Sequence, residues 1–168
     1  MTSALLKPRQ SPAFGLLRLA VCAALLAGVS ALGALSTYPE IPTWYAGLQK
    51  PAWTPPNVSF PLVWTTLYAL MAFALWRLWD RAPEGPARSR AILLFLAQLV
   101  VNAAWSPIFF GLHALAVGFG VILLLIVLVA ATLRAAFQAD ALAGWCLVPY
   151  LPWLLYAASL NGAILFLN

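Results

Sequence analysis

Five long stretches without a central charge divide this chain, and they limit its possible folds more than any other feature of the sequence. They lie near residues 15–37, 60–79, 89–110, 114–137 and 142–167. At about 1.5 Å per residue, each is long enough to cross about 30 Å of hydrocarbon as a helix. With 64% hydrophobic and 8% charged residues, the chain lies far outside the range of soluble domains. The sequence therefore predicts an all-α membrane protein, a bundle of five transmembrane helices in a lipid bilayer.

The N-terminal residues differ from the rest of the chain. Residues 1–13 are polar, contain proline and show no helical period, which predicts a disordered segment before a single membrane domain at 14–168. The basic residues that precede the first apolar stretch, followed by Val29-Ser30-Ala31, also resemble a cleavable signal peptide. Because the apolar stretch continues past that site to Tyr38, a retained first helix is the preferred interpretation.

The basic residues are divided unequally between the two sides of a five-span protein. The N-terminus and the second and fourth loops share the side that carries Lys7, Arg9, Arg18, Arg77, Arg81, Arg88, Arg90 and Arg134. The opposite side carries only Lys50. By the positive-inside rule this predicts the N-terminus inside and the C-terminus outside, if the membrane is a cytoplasmic one. Since the net charge of +5 is spread over short loops, nucleic acid is not predicted as a partner.

The spans offer few residues for acid–base or metal chemistry. No carboxylate, lysine or arginine lies near the middle of a span, and the single histidine, His113, lies in a turn. No metal site and no cofactor are predicted. Cys22 and Cys146 lie in apolar helices without CxxC spacing, so they are predicted to be small buried hydrophobic residues. Ser59 and Asp140 each precede an apolar stretch and are predicted to cap the second and fifth helices.

Neutral polar and aromatic side chains recur at helical spacing within three of the spans. They are Trp64 with Tyr68, then Gln98 with Asn102 and Trp105, then Trp153 with Ala157 and Asn161. A buried amide needs a hydrogen-bond partner, either across a helix interface or in a ligand. Both alternatives remain open for each residue taken alone. Their combination on three helices favours an apolar small-molecule site with a few polar groups.

The loop between the first two spans, WYAGLQKPAWTPP at residues 44–56, is stiff and aromatic. Its three prolines forbid a continuous helix and favour an extended or turned path. Its large rings need apolar surface to cover. We therefore predict that Trp44, Tyr45 and Trp53 cover a cavity or lie in the membrane interface. Trp44 and Trp53 are predicted to attach the loop to the bundle.

Four sequence blocks resemble the TspO/MBR family, the tryptophan-rich sensory proteins that include the mitochondrial translocator protein, or peripheral benzodiazepine receptor. The blocks are WYAGLQKPAWTPP at 44–56, PLVWTTLY at 61–68, AQLVVNAAWSPIFFG at 97–111 and VPYLPWLLYAASLN at 148–161. They occur in the family's order and spacing from the first helix to the C-terminus. The resemblance implies a five-helix bundle, commonly a homodimer, with a pocket beneath the first loop that binds porphyrins and drug-like isoquinolines.

Matched residue by residue, the resemblance also implies a set of ligand-binding positions. They are Tyr45, Pro55, Trp64, Tyr68, Asn102, Trp105, Trp153 and Ala157. The chain departs from animal members of the family in two places, since no basic residue follows Arg134 to complete the proposed sterol motif and Val117 replaces a pocket tryptophan. Pro152 is predicted to bend the fifth helix just before Trp153.

The preferred function is a receptor or carrier for a flat hydrophobic tetrapyrrole such as protoporphyrin IX. In this hypothesis the ligand lies between Trp64 and Trp153, and Asn102 or Gln98 supplies a polar contact. An alternative is an enzyme, because some relatives are associated with light- and oxygen-dependent porphyrin breakdown. Trp64 and Trp153 would then be the reactive indoles, and no other catalytic residue is predicted.

A second alternative is a scaffold that modulates a partner protein. The small residues Ala97, Ala103 and Ala104 in the third span allow close approach of another helix, as in a homodimer.

Overall fold

The computed structural model describes residues 12–168, in which the chain forms seven α-helices. They are α1 Pro12–Thr37, α2 Trp44–Gly47, α3 Ser59–Trp76, α4 Pro86–Ser106, α5 Leu115–Ala139, α6 Ala141–Leu147 and α7 Tyr150–Leu167. Five segments are long and apolar enough to cross a membrane, the last formed by α6 and α7 together. The prediction of an all-α bundle of five transmembrane helices is therefore confirmed.

The ends of the predicted helices shift by a few residues. Residues 1–11, most of the segment predicted to be disordered, lie outside the described residues, whereas Pro12 and Ala13 already belong to α1. A wide π-helical turn extends α3 at Arg77–Arg81, and another extends α4 at Pro107–Gly111. In each turn a backbone N–H donates a hydrogen bond to the carbonyl five residues earlier in the chain. These turns complete the second and third candidate spans, Ser59–Arg81 and Pro86–Gly111.

The fifth span is not the single helix predicted over 142–167. It is interrupted at Pro149, because proline lacks an N–H and its ring excludes the carbonyl of the preceding turn. Pro152, where a bend is predicted, instead lies in the first turn of α7. The N–H groups of a first turn have no partner within the helix, so proline costs no helical hydrogen bond there. The interruption lets α6 pack against α3 and α5, while α7 packs against α5.

The bundle has two unequal ends, here named the arginine side and the roof side. The arginine side holds the ends of the spans with Arg18, Arg77 and Arg81, and its interior is closely packed around Met71, Leu78, Phe95, Val129 and Leu147. Alanines with no exposed surface lie at helix contacts there, namely Ala74, Ala91, Ala136 and Ala143. The roof side lies under the segment 38–58, named the roof, and it is hollow.

The predicted buried character of Cys22 is confirmed, since it is 1% exposed, and Cys146 is half-buried. The predicted cap at Asp140 is also confirmed, because its Oδ1 accepts a hydrogen bond of 2.8 Å from the Ala143 N–H at the start of α6. The predicted cap at Ser59 is wrong. Ser59 is already helical, and its own N–H donates to the Pro56 carbonyl over 2.9 Å, so a backbone turn leads into α3.

Asp140 also joins two spans through Arg77. The Arg77 Nη2 atom lies 2.6 Å from Asp140 Oδ2, and Nε lies 3.3 Å from Oδ1. Burial acts to raise the pKa of Asp140, but the hydrogen bonds from Arg77 and the Ala143 N–H, together with the Arg77 charge, lower it overall. The carboxylate is therefore held in its charged form at the point where α5 turns into α6.

Candidate functional site

A cavity of about 410 Å³ lies between the helices on the roof side. Side chains from α1, α3, α4, α5 and α7 form its wall, and residues of the roof cover it. Among the described residues that line it, none carries a formal charge. A largely apolar cavity of about 300–1,000 Å³ with a few polar groups is typical of a small-molecule site.

Seven of the nine predicted ligand-contact residues line this cavity. They are Tyr45, Trp64, Tyr68, Asn102, Trp105, Trp153 and Ala157. Pro55 is half-buried but lies outside the wall, where the roof contributes Asn57 and Val58 instead. Gln98 is 1% exposed and also lies outside the wall. It precedes Asn102 by one turn, about 6 Å along the helix axis, and is thus displaced toward the packed arginine side.

Tyr68, Asn102 and Tyr150 form a hydrogen-bonded chain across three helices. The Tyr68 hydroxyl donates to Asn102 Oδ1 over 2.8 Å, and Asn102 Nδ2 donates to the Tyr150 hydroxyl over 2.7 Å. Asn102 thus has one partner within the protein at each end of its amide, which leaves one N–H and one oxygen lone pair without a protein partner. The chain joins α3, α4 and α7 and fixes the wall at this point.

Trp64 and Trp153 are neighbours in the wall, and their rings are not parallel. Their ring centroids are 6.3 Å apart and their planes are perpendicular, at 90°. A planar ligand between two indoles needs parallel faces about 7 Å apart, twice a carbon–carbon contact distance. The prediction of a slot between these residues is therefore wrong, and the pair instead offers an L-shaped aromatic corner.

Two indole N–H groups are buried without an acceptor among the described residues, those of Trp105 and Trp153. An unpaired buried donor costs about 1–3 kcal/mol. Since both side chains line the cavity, a ligand or water with acceptor atoms would satisfy them. These two indoles join Asn102 as candidate polar contacts, whereas Gln98 lies outside the wall.

The model of the TspO/MBR family matches residues 20–167. This chain belongs to the TspO/MBR family. It is 42% identical over 125 residues to the protein CrtK of Rhodobacter capsulatus, covering 74% of this chain and 78% of CrtK. It is also 42% identical to the tryptophan-rich sensory protein of Cereibacter sphaeroides, over 74% and 77% of the two chains. Identity to the human translocator protein is 40%, over 72% of each chain.

The predicted family is thus confirmed, and the chain is a multi-pass integral membrane protein with sensory and translocator relatives. Val117, predicted to stand where animal members carry a pocket tryptophan, is 57% exposed and does not line the cavity of this TspO/MBR protein.

One face of α1 lines the cavity although no residue of α1 was predicted to do so. The lining residues are Ser30, Gly33, Ala34 and Thr37. Their spacing of i, i+3, i+4 and i+7 places four small residues on one helix face, which is the signal that identifies them. Small side chains here leave the volume that larger ones would fill.

Trp44 attaches the roof of this TspO/MBR protein to the bundle, as predicted. Its indole stacks on the His113 ring at 4.2 Å and 11°, and meets Phe109 edge to face at 5.6 Å. His113 Nε2 also lies 3.0 Å from Glu40 Oε2. The turn between α4 and α5 therefore contacts the roof at two residues, Glu40 and Trp44. His113, which the sequence places in a turn, thus also helps to attach the roof.

Trp53, also predicted to attach the roof, does so only through its backbone. Its ring is 56% exposed, while its carbonyl accepts a hydrogen bond of 2.8 Å from the Tyr156 hydroxyl. A turn closed by the Thr54 N–H and the Pro51 carbonyl, 3.0 Å apart, leaves the ring on the surface. Burial raises the pKa of Tyr45, so this lining phenol stays neutral.

A third attachment joins Gln49 in the roof to Asn168 beyond α7. The Gln49 N–H donates to Asn168 Oδ1 over 3.0 Å, and Asn168 Nδ2 donates to the Gln49 carbonyl over 3.0 Å. The side-chain amide of Asn168 thus pairs with both the N–H and the carbonyl of Gln49, and these two hydrogen bonds hold the middle of the roof.

Asn168→Ala is expected to loosen the roof without unfolding the spans. Loss of both side-chain bonds should increase amide hydrogen exchange around Gln49 about tenfold, since about 1.4 kcal/mol corresponds to a factor of ten. Hydrogen exchange followed by mass spectrometry measures this. Gln138→Ala removes an exposed amide on the arginine side and should change nothing in the roof. Equal exchange in both variants would contradict the assigned attachment.

Proposed function

We propose that this protein is a membrane receptor or carrier that binds a flat hydrophobic tetrapyrrole in the cavity beneath the roof. The aromatic corner of Trp64 and Trp153 carries this proposal, because it offers two apolar faces inside a cavity of about 410 Å³. A planar ring packed against one indole face gains dispersion and quadrupole contacts over a wide area. The acceptor atoms of such a ligand would pair with the free indole donors of Trp105 and Trp153.

The Trp64→Phe, Trp153→Phe double variant is expected to weaken protoporphyrin IX binding at least about tenfold. Each substitution shortens an aromatic face, and that of Trp153 also removes a buried donor. The shift of the porphyrin absorbance band on titration measures the affinity without depending on the number of tryptophans left.

A matched control removes two indoles from the arginine side. Trp79→Phe, Trp145→Phe leaves the cavity wall intact, since neither residue lines it. Affinity should stay at the wild-type value in this variant. Unchanged affinity in the Trp64 and Trp153 variant would overturn the assignment of the porphyrin to this corner.

We also propose a homodimer and an N-in, C-out orientation. Ala97 and Ala104 are seven residues apart on α4 and both are half-buried, which gives a stripe of small side chains that a second copy can approach. The orientation follows from the basic residues on the arginine side.

A further inference from the structure

Among the described residues on the roof side, Lys50 is the one cation without a carboxylate partner. Of the ionisable residues there, Glu40 is paired with His113 over 3.0 Å. Lys50 has no carboxylate within salt-bridge distance among the described residues. Its Nζ instead lies 3.1 Å from the Leu48 carbonyl and 3.5 Å from the Ala46 carbonyl. The ammonium is thus positioned by neutral acceptors and keeps its capacity to bind an anion.

The edge of the cavity that Tyr45 lines in the roof is named the mouth, and Lys50 lies next to it. Its Nζ lies 4.6 Å from the centroid of the Tyr45 ring, and Tyr45 lines the cavity. Only the Tyr45 ring therefore separates the ammonium from the space that a ligand would occupy. Lys50 is half-buried, and its long side chain can move past Tyr45 to meet a ligand at the roof.

The interior of the cavity cannot compensate a charge in the same way. The described lining residues are uncharged, and the free donors among them are neutral indoles. A carboxylate moved there from water would lose its hydration without gaining a counter-ion, which is costly. An amphipathic acid is therefore best accommodated with its apolar body in the cavity and its carboxylate at the mouth.

We propose that Lys50 binds the carboxylate of an amphipathic planar ligand at the mouth of the cavity, and so selects free acids over their neutral esters. This proposal rests on the function proposed above and adds the orientation of the ligand and its chemical class. A charge-assisted hydrogen bond from an ammonium to a carboxylate is stronger than one between neutral groups. Lys50 thereby acts as a specificity-determining residue of the roof.

The test compares protoporphyrin IX with its dimethyl ester, which has the same planar ring without the negative charges. Both are titrated into the full chain in phosphatidylcholine nanodiscs, with the wild type, Lys50→Gln and Lys50→Arg. The wild type is expected to bind the acid about tenfold more tightly than the ester. Lys50→Gln should remove this preference by weakening the acid alone, and Lys50→Arg should retain most of it.

The ester serves as the control for the fold of the roof. If Lys50→Gln weakens acid and ester equally, Lys50 only supports the roof and the proposal is overturned. An acid preference that survives Lys50→Gln also overturns it, as does equal binding of acid and ester by the wild type. If the wild type binds neither porphyrin, the proposed function itself fails, and the Lys50 proposal fails with it.

Discussion

Replacing Ala157 by leucine is expected to lower porphyrin affinity about a hundredfold while the bundle stays folded. Ala157 lines the cavity, and leucine would place a branched aliphatic group in the volume proposed for the ligand. Because the group enters an empty space, it should not strain the packed helices. A hundredfold loss corresponds to about 2.7 kcal/mol of binding free energy. Titration of protoporphyrin IX, together with the thermal unfolding midpoint, measures both effects.

Ser159→Leu is the matched control for this prediction. Ser159 follows Ala157 by two residues in α7, and it is exposed. Leucine at this position therefore adds the same apolar group outside the cavity. Porphyrin affinity should stay within about twofold of the wild type, well below the 1.4 kcal/mol of a tenfold change. A hundredfold loss in Ser159→Leu, or none in Ala157→Leu, would place the ligand elsewhere.

The Asp140→Ala variant is expected to lose about 3 kcal/mol of unfolding free energy. The substitution removes the cap of α6, worth about 1 kcal/mol, and leaves Arg77 without its partner, which costs about 2 kcal/mol more at a largely buried position. The Asp140 side chain is 9% exposed and that of Arg77 is 26% exposed. Reversible unfolding in mixed micelles measures the loss.

Asp140→Asn separates the two contributions. Asparagine keeps the capping oxygen but loses the charge, so this variant should lose only the contribution of the ion pair. The pKa of Asp140 is lower in the folded protein than its ordinary value of 3.8. The carboxylate therefore stabilises the fold above that value, and its contribution is lost as pH falls through the lower folded value. The difference between wild type and Asp140→Asn should accordingly shrink below about pH 4.

The number of spans and seven residues of the cavity wall are predictable from the sequence because both depend largely on local periodicity. Runs of apolar residues give the spans, and a spacing of three or four residues places Trp64 with Tyr68 on one helix face. The same rule places Gln98 with Asn102, but it gives only the direction around the helix. Helical spacing does not show how far along the helix the cavity extends. Gln98 lies beyond the end of the cavity, toward the arginine side.

What the sequence does not predict depends on contacts between distant segments. The perpendicular setting of Trp64 against Trp153 depends on how α7 packs after the interruption at Pro149. Likewise, Asn102 is engaged by Tyr68 and Tyr150 from two other helices, which no spacing within α4 reveals. Helical spacing identifies residues that share a face, whereas tertiary packing decides which of their polar atoms remain free.

The attachments of the roof have a consequence for the order in which the protein assembles. Gln49 and Asn168 are 119 residues apart in sequence, and Trp53 and Tyr156 are 103 apart. Contacts this distant form only after α7 has joined the bundle, since the chain between them must first be ordered. We therefore expect the roof to close late in biogenesis. Until α7 has joined, the aromatic lining is open to lipid, and a hydrophobic ligand present in the membrane at that stage can be enclosed during folding.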